Sequence, residues 1–143
     1  MQHTSLEDQA RTLQATGAYR VLRRIASLPL ETQMPRDQTR VGIFLDLETT
    51  GLDPIRDEII EFGMVPFVYT LDGRILGTLP VFSRLREPSQ PIPPEITALT
   101  GITQEMVAGK TITPEEIARF VAQAALIVAH NARFDRLFAE RFW

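Results

Sequence analysis

Residues 41–47 (VGIFLDL) constrain the fold more than any other segment. The run is apolar almost throughout and is shorter than an ordinary helix, so it predicts a central β-strand that is buried on both faces. Residues 49–54 (TTGLDP) follow it and are typical of a turn. Asp46 and Glu48 therefore stand at the carboxyl end of a buried strand.

The next segments predict a meander of antiparallel strands. A second strand is expected over residues 58–70. The Asp-Gly pair at 72–73 is a hairpin signal, so a third strand is expected over about 74–85. Pro66 and Pro80 fall within these two strands and indicate a bulge or an edge.

The second half of the chain alternates helices with one more strand. Residues 94–99 predict a short helix closed by Gly101, and residues 113–116 (TPEE) form a capping box at the start of another helix. Residues 125–129 (ALIVA) predict a fourth buried strand, after which Asn131 caps a last helix. The predicted fold class is α/β: a mixed sheet with a three-strand antiparallel meander, one parallel strand and flanking helices.

Residues 1–40 are predicted to be a helical appendage and linker, and residues 41–143 the main domain. Ser5 caps a first helix, and a second amphipathic helix is expected after Gly17. Its apolar residues are Val21, Leu22, Ile25 and Leu28, and its arginines are Arg20, Arg23 and Arg24. The arginines are most simply a solvated helix face, and contact with a nucleic-acid backbone or another domain is the alternative.

Composition narrows the class of protein. The net charge of −3 argues against a protein that coats nucleic acid through a basic surface. The absence of cysteine excludes disulfides and thiolate chemistry, and it is compatible with the cytoplasm, the location we predict. No apolar run has the ~18 residues that a membrane span needs, and residues 1–30 lack the apolar centre of a signal peptide.

Three carboxylates are candidates for chemistry. Asp46 and Glu48 are two residues apart on a strand, so their side chains share one face about 7 Å apart along the chain. Carboxylate pairs of this kind bind Mg2+ or Mn2+, although a pair of solvated strand-end acids is equally open. If the fourth strand runs parallel to the first, Asp135 reaches the same edge of the sheet. An acid in the first turn of a helix is also favourable for electrostatic reasons alone.

Polar residues near these acids have ordinary structural explanations. His130 at a strand end and Asn131 at a helix cap do not by themselves indicate catalysis. Thr49 and Thr50 are able to offer hydroxyls to a phosphate or sugar, but turn formation explains them equally well.

Four segments together resemble a known family. FLDLETTGLDP (44–54), EIIEFGMV (58–65), IPPEITALTGIT (92–103) and IVAHNARFD (127–135) resemble the DEDD exonuclease superfamily, which includes the proofreading epsilon subunits of bacterial DNA polymerase III. The resemblance implies a ribonuclease H-like fold and 3′–5′ exonuclease activity with two Mg2+ or Mn2+ ions. It further implies a role in DNA proofreading or repair, a single-stranded or frayed 3′ end as substrate, and a DNA polymerase as a candidate partner. Both DNA and RNA are substrates on this fold, and the sequence does not distinguish them.

The resemblance also assigns residues. Asp46, Glu48 and Asp135 match the catalytic metal ligands. The residues that match the pocket for the terminal nucleotide are Thr49, Thr50, Leu52, Leu99, Ile102 and Asn131. One metal would activate the attacking water and the other would stabilise the leaving 3′ oxygen.

One part of the family pattern has no match. The third motif supplies a general-base histidine and a fourth carboxylate, whereas this chain holds only His3 and His130, and its last eight residues contain neither histidine nor aspartate. We therefore expect the sequence to be part of a longer protein, with a fold incomplete at its carboxyl end. The 143-residue chain alone is expected to be inactive or weakly active. Its apolar last helix is expected to favour self-association.

Two other functions fit parts of the sequence. The run from Asp46 to Thr50 superficially suits an aspartyl-nucleophile phosphatase, but there a helical crossover would follow the strand rather than a hairpin. A module that binds nucleic acid or a polymerase without turnover is the other alternative.

Overall fold

The computed structural model describes residues 5–24, 28–31 and 36–142. A single sheet is flanked by helices, which confirms the mixed α/β class. Its strands are β1 (Thr39–Thr49), β2 (Ile59–Thr70), β3 (Ile75–Thr78), β4 (Phe82–Leu85) and β5 (Ala124–Val128). The strand order is β3-β2-β1-β5, with β4 also pairing with β2. β1 is antiparallel to β2 and parallel to β5, as the sequence predicts.

Except for a short helix at residues 104–107, which was not predicted, the helices lie where the sequence predicts them. They are α1 (Leu6–Ala15), α2 (Pro94–Thr100), α3 (Gln104–Val107), α4 (Pro114–Val121) and α5 (Ala132–Phe142). Ser5 caps α1 through the Asp8 amide, and Thr113 and Glu116 form the predicted capping box of α4. Gly101 ends α2 with a φ of 76°, a left-handed conformation that glycine adopts without strain.

The predicted third strand is two strands. β3 pairs with Phe67–Tyr69 and β4 pairs with Glu61–Met64, so they lie end to end along β2. The break falls at Pro80, which lacks an amide hydrogen for the ladder. Pro66 lies opposite the break, and its carbonyl accepts the Leu79 amide at 2.8 Å.

β1 is not buried on both faces, which corrects the first expectation. Ile43, Leu45, Leu47 and Thr49 are buried, whereas the residues between them are more exposed. The apolar ones pack with Ile117 of α4 and with Phe138 and Ala139 of α5 in the main core. We call this the packed face of the sheet and the opposite side, which carries Phe44, Asp46 and Glu48, the open face. No periodicity within the run marks this division.

β5 is also less buried than predicted. Among the described strands it is the outermost and pairs only with β1. Leu126, Ile127 and Val128 are consequently exposed to about two-fifths of their surface. On α5, the apolar residues Phe138 and Ala139 are covered, while Leu137 is half-exposed. Self-association through apolar surface stays a prediction, and the exposed residues of β5 add to the surface of the last helix that would carry it.

The region before β1 differs from its prediction. Residues 18–24 are not helical, so the prediction of a second amphipathic helix is wrong for these residues. Ile25, which that prediction included, lies outside the described residues. Leu28 is not helical either: its carbonyl accepts the Thr78 amide, and the Glu31 amide donates to Leu76. A short segment of the expected appendage thus runs along β3. β1 itself begins at Thr39 rather than Val41. Among the described residues no helix is long and apolar enough to cross a membrane.

A second apolar cluster covers the open face near the start of β2. Its buried members are Ile60, Ile92, Ile102 and Val107. The β1–β2 register runs from Glu48↔Glu61 to Thr49↔Ile59 and leaves Ile60 without a partner in β1, which is a β-bulge. The bulge puts Ile60 in this cluster while its neighbour Ile59 belongs to the main core. The bulge thereby anchors α2 and α3 beside the carboxyl end of β1.

Candidate active site

Asp46 and Glu48 lie on the open face at the carboxyl end of β1. Asp46 is exposed and Glu48 is half-buried. Glu61 of β2 lies directly opposite Glu48 in the antiparallel register, and the Ser83 hydroxyl donates a hydrogen bond to it at 3.0 Å. Like charges directly opposite one another destabilise a sheet. The pairing therefore favours a bound cation between these strands.

Asp135 reaches the same edge from α5. The pairing of β1 with β5 ends at Phe44↔Val128, so β5 satisfies no amide farther along β1. One of those amides, that of Leu47, lies near the Asp135 carboxylate and lowers its pKa. The side chain is only 5% exposed. The parallel strand thus delivers Asp135 to the end of β1, as the sequence predicts.

The electrostatics tie these carboxylates together. Burial raises the pKa of Glu48, and the negative charges of Asp46, Glu61 and Asp135 raise it further. Burial likewise raises the pKa of Asp135, and the charge of Asp46 adds to this effect, while hydrogen bonds from backbone amides and the charge of His130 oppose it. We call Asp46, Glu48, Glu61 and Asp135 the acidic cluster. It is a concentration of negative charge that a divalent cation would relieve.

The donor set suits Mg2+ or Mn2+ because it consists of carboxylate oxygens. Among the described residues, however, no three acidic or histidine side chains have the spacing needed to hold a metal ion. The fold therefore brings the predicted ligands into mutual electrostatic contact without closing them around one point. Asp46, Glu48 and Asp135 remain the candidate ligands, and Glu61 joins them as a fourth acid.

Sequence reasoning missed Glu61. It belongs to the EIIEFGMV segment, but nothing local shows which β1 residue it opposes. That depends on the length of the β1–β2 connection and on the bulge at Ile60. An alignment of the two strands outward from their turn, with one residue allowed for a bulge, would have found the pair.

The residues predicted to line a nucleotide pocket fall into two groups. Thr49 and Thr50 serve the turn: the Thr49 hydroxyl donates to the Gly51 carbonyl, and the Thr50 hydroxyl accepts the Glu58 amide at 2.9 Å. Leu52 and Leu99 are 83% and 81% exposed and are free to contact a ligand. Of the others, Ile102 is buried in the second apolar cluster, and Asn131 and His130 are exposed.

A groove of about 590 Å3 begins beside the acidic cluster. Glu61 lines one part of it, and Thr100, Gly101 and Ile102 line another. The α2–α3 segment that the sequence associates with nucleotide binding therefore lies beside the carboxylates of β1 and β2.

A family model described as "Exonuclease" matches residues 43–141. The chain belongs to the exonuclease family. This confirms the resemblance to the DEDD exonuclease superfamily. The aspartyl-nucleophile phosphatase alternative does not fit, because β1 leads into the antiparallel β2 rather than into a helical crossover.

Two curated relatives of this exonuclease chain are DNA polymerase III proteins by name. It is 43% identical over 103 residues to a DNA polymerase III PolC-type protein of Thermotoga petrophila, covering 71% of the chain and 7% of the relative. It is 41% identical over 112 residues to a DNA polymerase III subunit epsilon-like protein of Rhodobacter capsulatus, covering 76% of the chain and 15% of the relative. The chain thus spans a small part of the length of these relatives.

Solved exonuclease structures share the fold. A structure of exonuclease I without ligand superposes with a TM-score of 0.60 at 20% identity, over 72% of this chain and 24% of that one. Exonuclease X in complex with 5′ overhanging duplex DNA gives a TM-score of 0.52 at 34% identity, over 68% of this chain and 52% of that one. The ribonuclease H-like arrangement expected from the sequence is confirmed.

Proposed function

We propose that this exonuclease chain removes nucleotides from the 3′ end of DNA by metal-dependent hydrolysis. The acidic cluster at the carboxyl end of β1 carries the proposal, because it concentrates four carboxylates beside an open groove. Membership of the exonuclease family supplies the reaction class.

Asp46, Glu48 and Asp135 would hold the divalent ions in this proposal. Two such ions would activate water and stabilise the leaving 3′ oxygen. The chain's own contribution is orientation. The Leu47 amide, which lies near the buried Asp135 carboxylate, would orient it, and the exposed side chains of Leu52 and Leu99 would contact the terminal nucleotide.

DNA as substrate and a polymerase as partner rest on the relatives. Those named above are DNA polymerase III proteins, and exonuclease X was solved with duplex DNA. The net charge of −3 disfavours a long duplex footprint, so we propose a single-stranded or frayed 3′ end and a role in proofreading or repair. The cytoplasmic location stays a prediction.

The direction of hydrolysis and its metal dependence are tested on linear and circular single-stranded DNA of the same sequence. A 5′-labelled linear oligonucleotide should be shortened one nucleotide at a time from its 3′ end in Mg2+ or Mn2+ and be left intact in EDTA. A circular single strand of the same sequence should persist. Efficient cutting of the circle would contradict the exonuclease proposal.

A parallel assay addresses the third motif. The 143-residue chain is compared with a longer version that includes a segment supplying the histidine and the carboxylate of the third motif. A positioned general base contributes about 100- to 10,000-fold, so the extended version should be faster by at least the lower figure. Equal turnover by the two would refute the need for that histidine.

Binding without turnover is the second candidate. The lack of a three-ligand metal geometry among the described residues favours it. A protein of this kind would bind the linear oligonucleotide and leave its length unchanged in both versions.

A further inference from the structure

The turn that joins β1 to β2, residues 50–58, is built around the carboxylate of Asp57. This side chain is half-buried just before β2 begins. Its Oδ2 atom accepts the Asp53 amide at 2.8 Å, and its Oδ1 atom accepts the Thr50 hydroxyl at 3.3 Å. Among the described residues Asp57 forms no ion pair. Its carboxylate is therefore held by neutral donors that belong to the turn itself.

Gly51 leaves room for this carboxylate. A Cβ atom on Gly51 would overlap both carboxylate oxygens of Asp57. The φ of Gly51 is not positive, so its backbone conformation is open to other residues. Glycine is thus required here for space, and the Asp57 carboxylate packs directly on the backbone of the turn.

Asp57 consequently holds the turn on both sides of Leu52. Thr50 and Gly51 precede that leucine, and Asp53 follows it. Leu52 is 83% exposed and belongs to neither apolar cluster. No hydrophobic packing in those clusters fixes its position, so that position depends on the hydrogen bonds of the turn.

We propose that Asp57 is a positioning residue, which holds Leu52 where it meets the terminal nucleotide and itself contacts neither nucleotide nor metal. The inference rests on the proposed function. A contact residue that is already held in place loses less conformational freedom when a ligand binds, so the affinity is higher. The turn starts two residues after Glu48, so the same hydrogen bonds fix the leucine relative to the candidate metal ligands.

Binding of a dinucleotide tests this role in the 143-residue chain. Fluorescence anisotropy is measured with 5′-labelled dT2 in Ca2+. Asp57→Ala and Leu52→Ala should each weaken binding about tenfold, the effect of losing the partial burial of one leucine side chain. Asp57→Ala should have little further effect when it is added to Leu52→Ala, because both substitutions remove the same contact.

Two further variants separate the hydrogen bonds of Asp57 from its charge. In Asp57→Asn, the amide oxygen accepts the Asp53 amide and the amide nitrogen donates to the Thr50 hydroxyl, so dT2 binding should be close to that of the wild type. A metal ligand would instead need the charge, and Asp57→Asn would then bind as weakly as Asp57→Ala. Gly51→Ala displaces the carboxylate and should resemble Asp57→Ala, whereas it should cost little when the carboxylate is already absent.

Kinetics give a second measurement, in the longer version that includes the third motif. Asp57→Ala should raise KM about tenfold and leave kcat nearly unchanged, because the leucine contact is made equally before and during hydrolysis. Asp72→Ala is the matched control. Asp72 accepts the Thr70 hydroxyl in the β2–β3 turn, at the opposite end of β2. Its loss should loosen a comparable turn while dT2 binding and KM stay the same.

Several results would overturn the assignment of Asp57. They are undetectable binding of dT2 by the wild type, undiminished binding by Asp57→Ala, an equal loss in Asp57→Asn, a full further loss in the Leu52→Ala background, and an equal loss in Asp72→Ala. Failure of the proposed function has a different signature. The dT2 affinities would then show these same dependences, but linear DNA would never be shortened in Mg2+ or Mn2+.

Discussion

Along β1, the side chains that face α4 and α5 are apolar and buried, whereas those on the open face include two carboxylates. The packed face gains stability by removing Ile43, Leu45 and Leu47 from water. The open face does the opposite, because it holds Asp46 and Glu48 near Glu61 and Asp135 with mutual repulsion. Because side chains alternate along a strand, β1 places the residues that stabilise the fold on one face and the candidate metal ligands on the other.

The largest expected effect belongs to the open face. In the version of the chain that includes the third motif, Asp46→Asn should lower nuclease activity more than about 100-fold. Substitution of residues that only orient metal ligands already lowers activity by up to about 100-fold, and Asp46 is a candidate ligand itself. The melting temperature should stay the same or rise, since one charge that raises the pKa of Glu48 is removed. A nuclease assay measures the loss of activity, and thermal denaturation measures the melting temperature. Unchanged activity would remove Asp46 from the site.

The packed face should give the reverse result. Ile43→Ala removes a fully buried side chain, so the free energy of unfolding should fall by about 2–5 kcal/mol. Mn2+ binding, measured by calorimetry well below the melting temperature, should be retained. If Ile43→Ala and Asp46→Asn both lowered stability by the same amount, the two faces would not be functionally separate.

Local sequence signals predicted most elements of this fold. Helix starts depend on short-range chemistry, as at Thr113 and Ser5, and the strand break at Pro80 depends on a missing amide. The second N-terminal helix failed because its prediction considered only local periodicity. In the structure, the amides and carbonyls of residues 28–31 pair with β3, a contact 50 residues away in sequence.

The faces of β1 were not predictable from the sequence, because its apolar residues occur on both. Phe44 is apolar yet lies on the open face, where it stacks on Phe67 at 4.4 Å between ring centres. Phe67 in turn lies over Gly42, where a Cβ atom would overlap its ring. Asp135 was predicted from topology, whereas Glu61 needed the register and the bulge. The site was therefore predictable where strand order decided it, and not where register did.

Two glycines test whether the open face is packed beyond its carboxylates. Gly42→Ala should lower the free energy of unfolding by about 1–3 kcal/mol, because the new methyl group must displace the buried Phe67 ring. Gly63→Ala, on the same face, meets only the Asp46 carbonyl at 3.4 Å. It should be neutral or raise stability by up to about 1 kcal/mol through loss of unfolded-state freedom. Urea denaturation compares the two, and equal destabilisation would contradict the packing of Phe67 on Gly42.

The smallest expected effect concerns Glu58, a carboxylate at the same end of the sheet that is hydrogen-bonded to Ser89 and paired with Arg86. Burial alone would raise the pKa of Glu58, but hydrogen bonds from the Ser89 hydroxyl and amide and from Arg86 outweigh burial and lower it. Arg86 also forms an ion pair with it at 2.9 Å, with both side chains about a quarter exposed. Glu58 thus differs from Glu48, whose pKa is raised by burial and further by charges of its own sign.

A lowered folded-state pKa means that Glu58 stabilises the fold above its unfolded pKa, near 4.5, and that this contribution is lost as the pH falls through the folded-state value. Glu58→Gln should therefore be less stable than the wild type at pH 7, and the difference should shrink as the pH falls below 4.5. Urea denaturation at pH 7 and pH 3 measures it, with the exposed Glu95→Gln as control. If the difference in the free energy of unfolding between the wild type and Glu58→Gln grew toward pH 3, the Glu58 carboxylate would behave like those of the acidic cluster. The proposed distinction between Glu58, with its cationic partner, and the acidic cluster would then be contradicted.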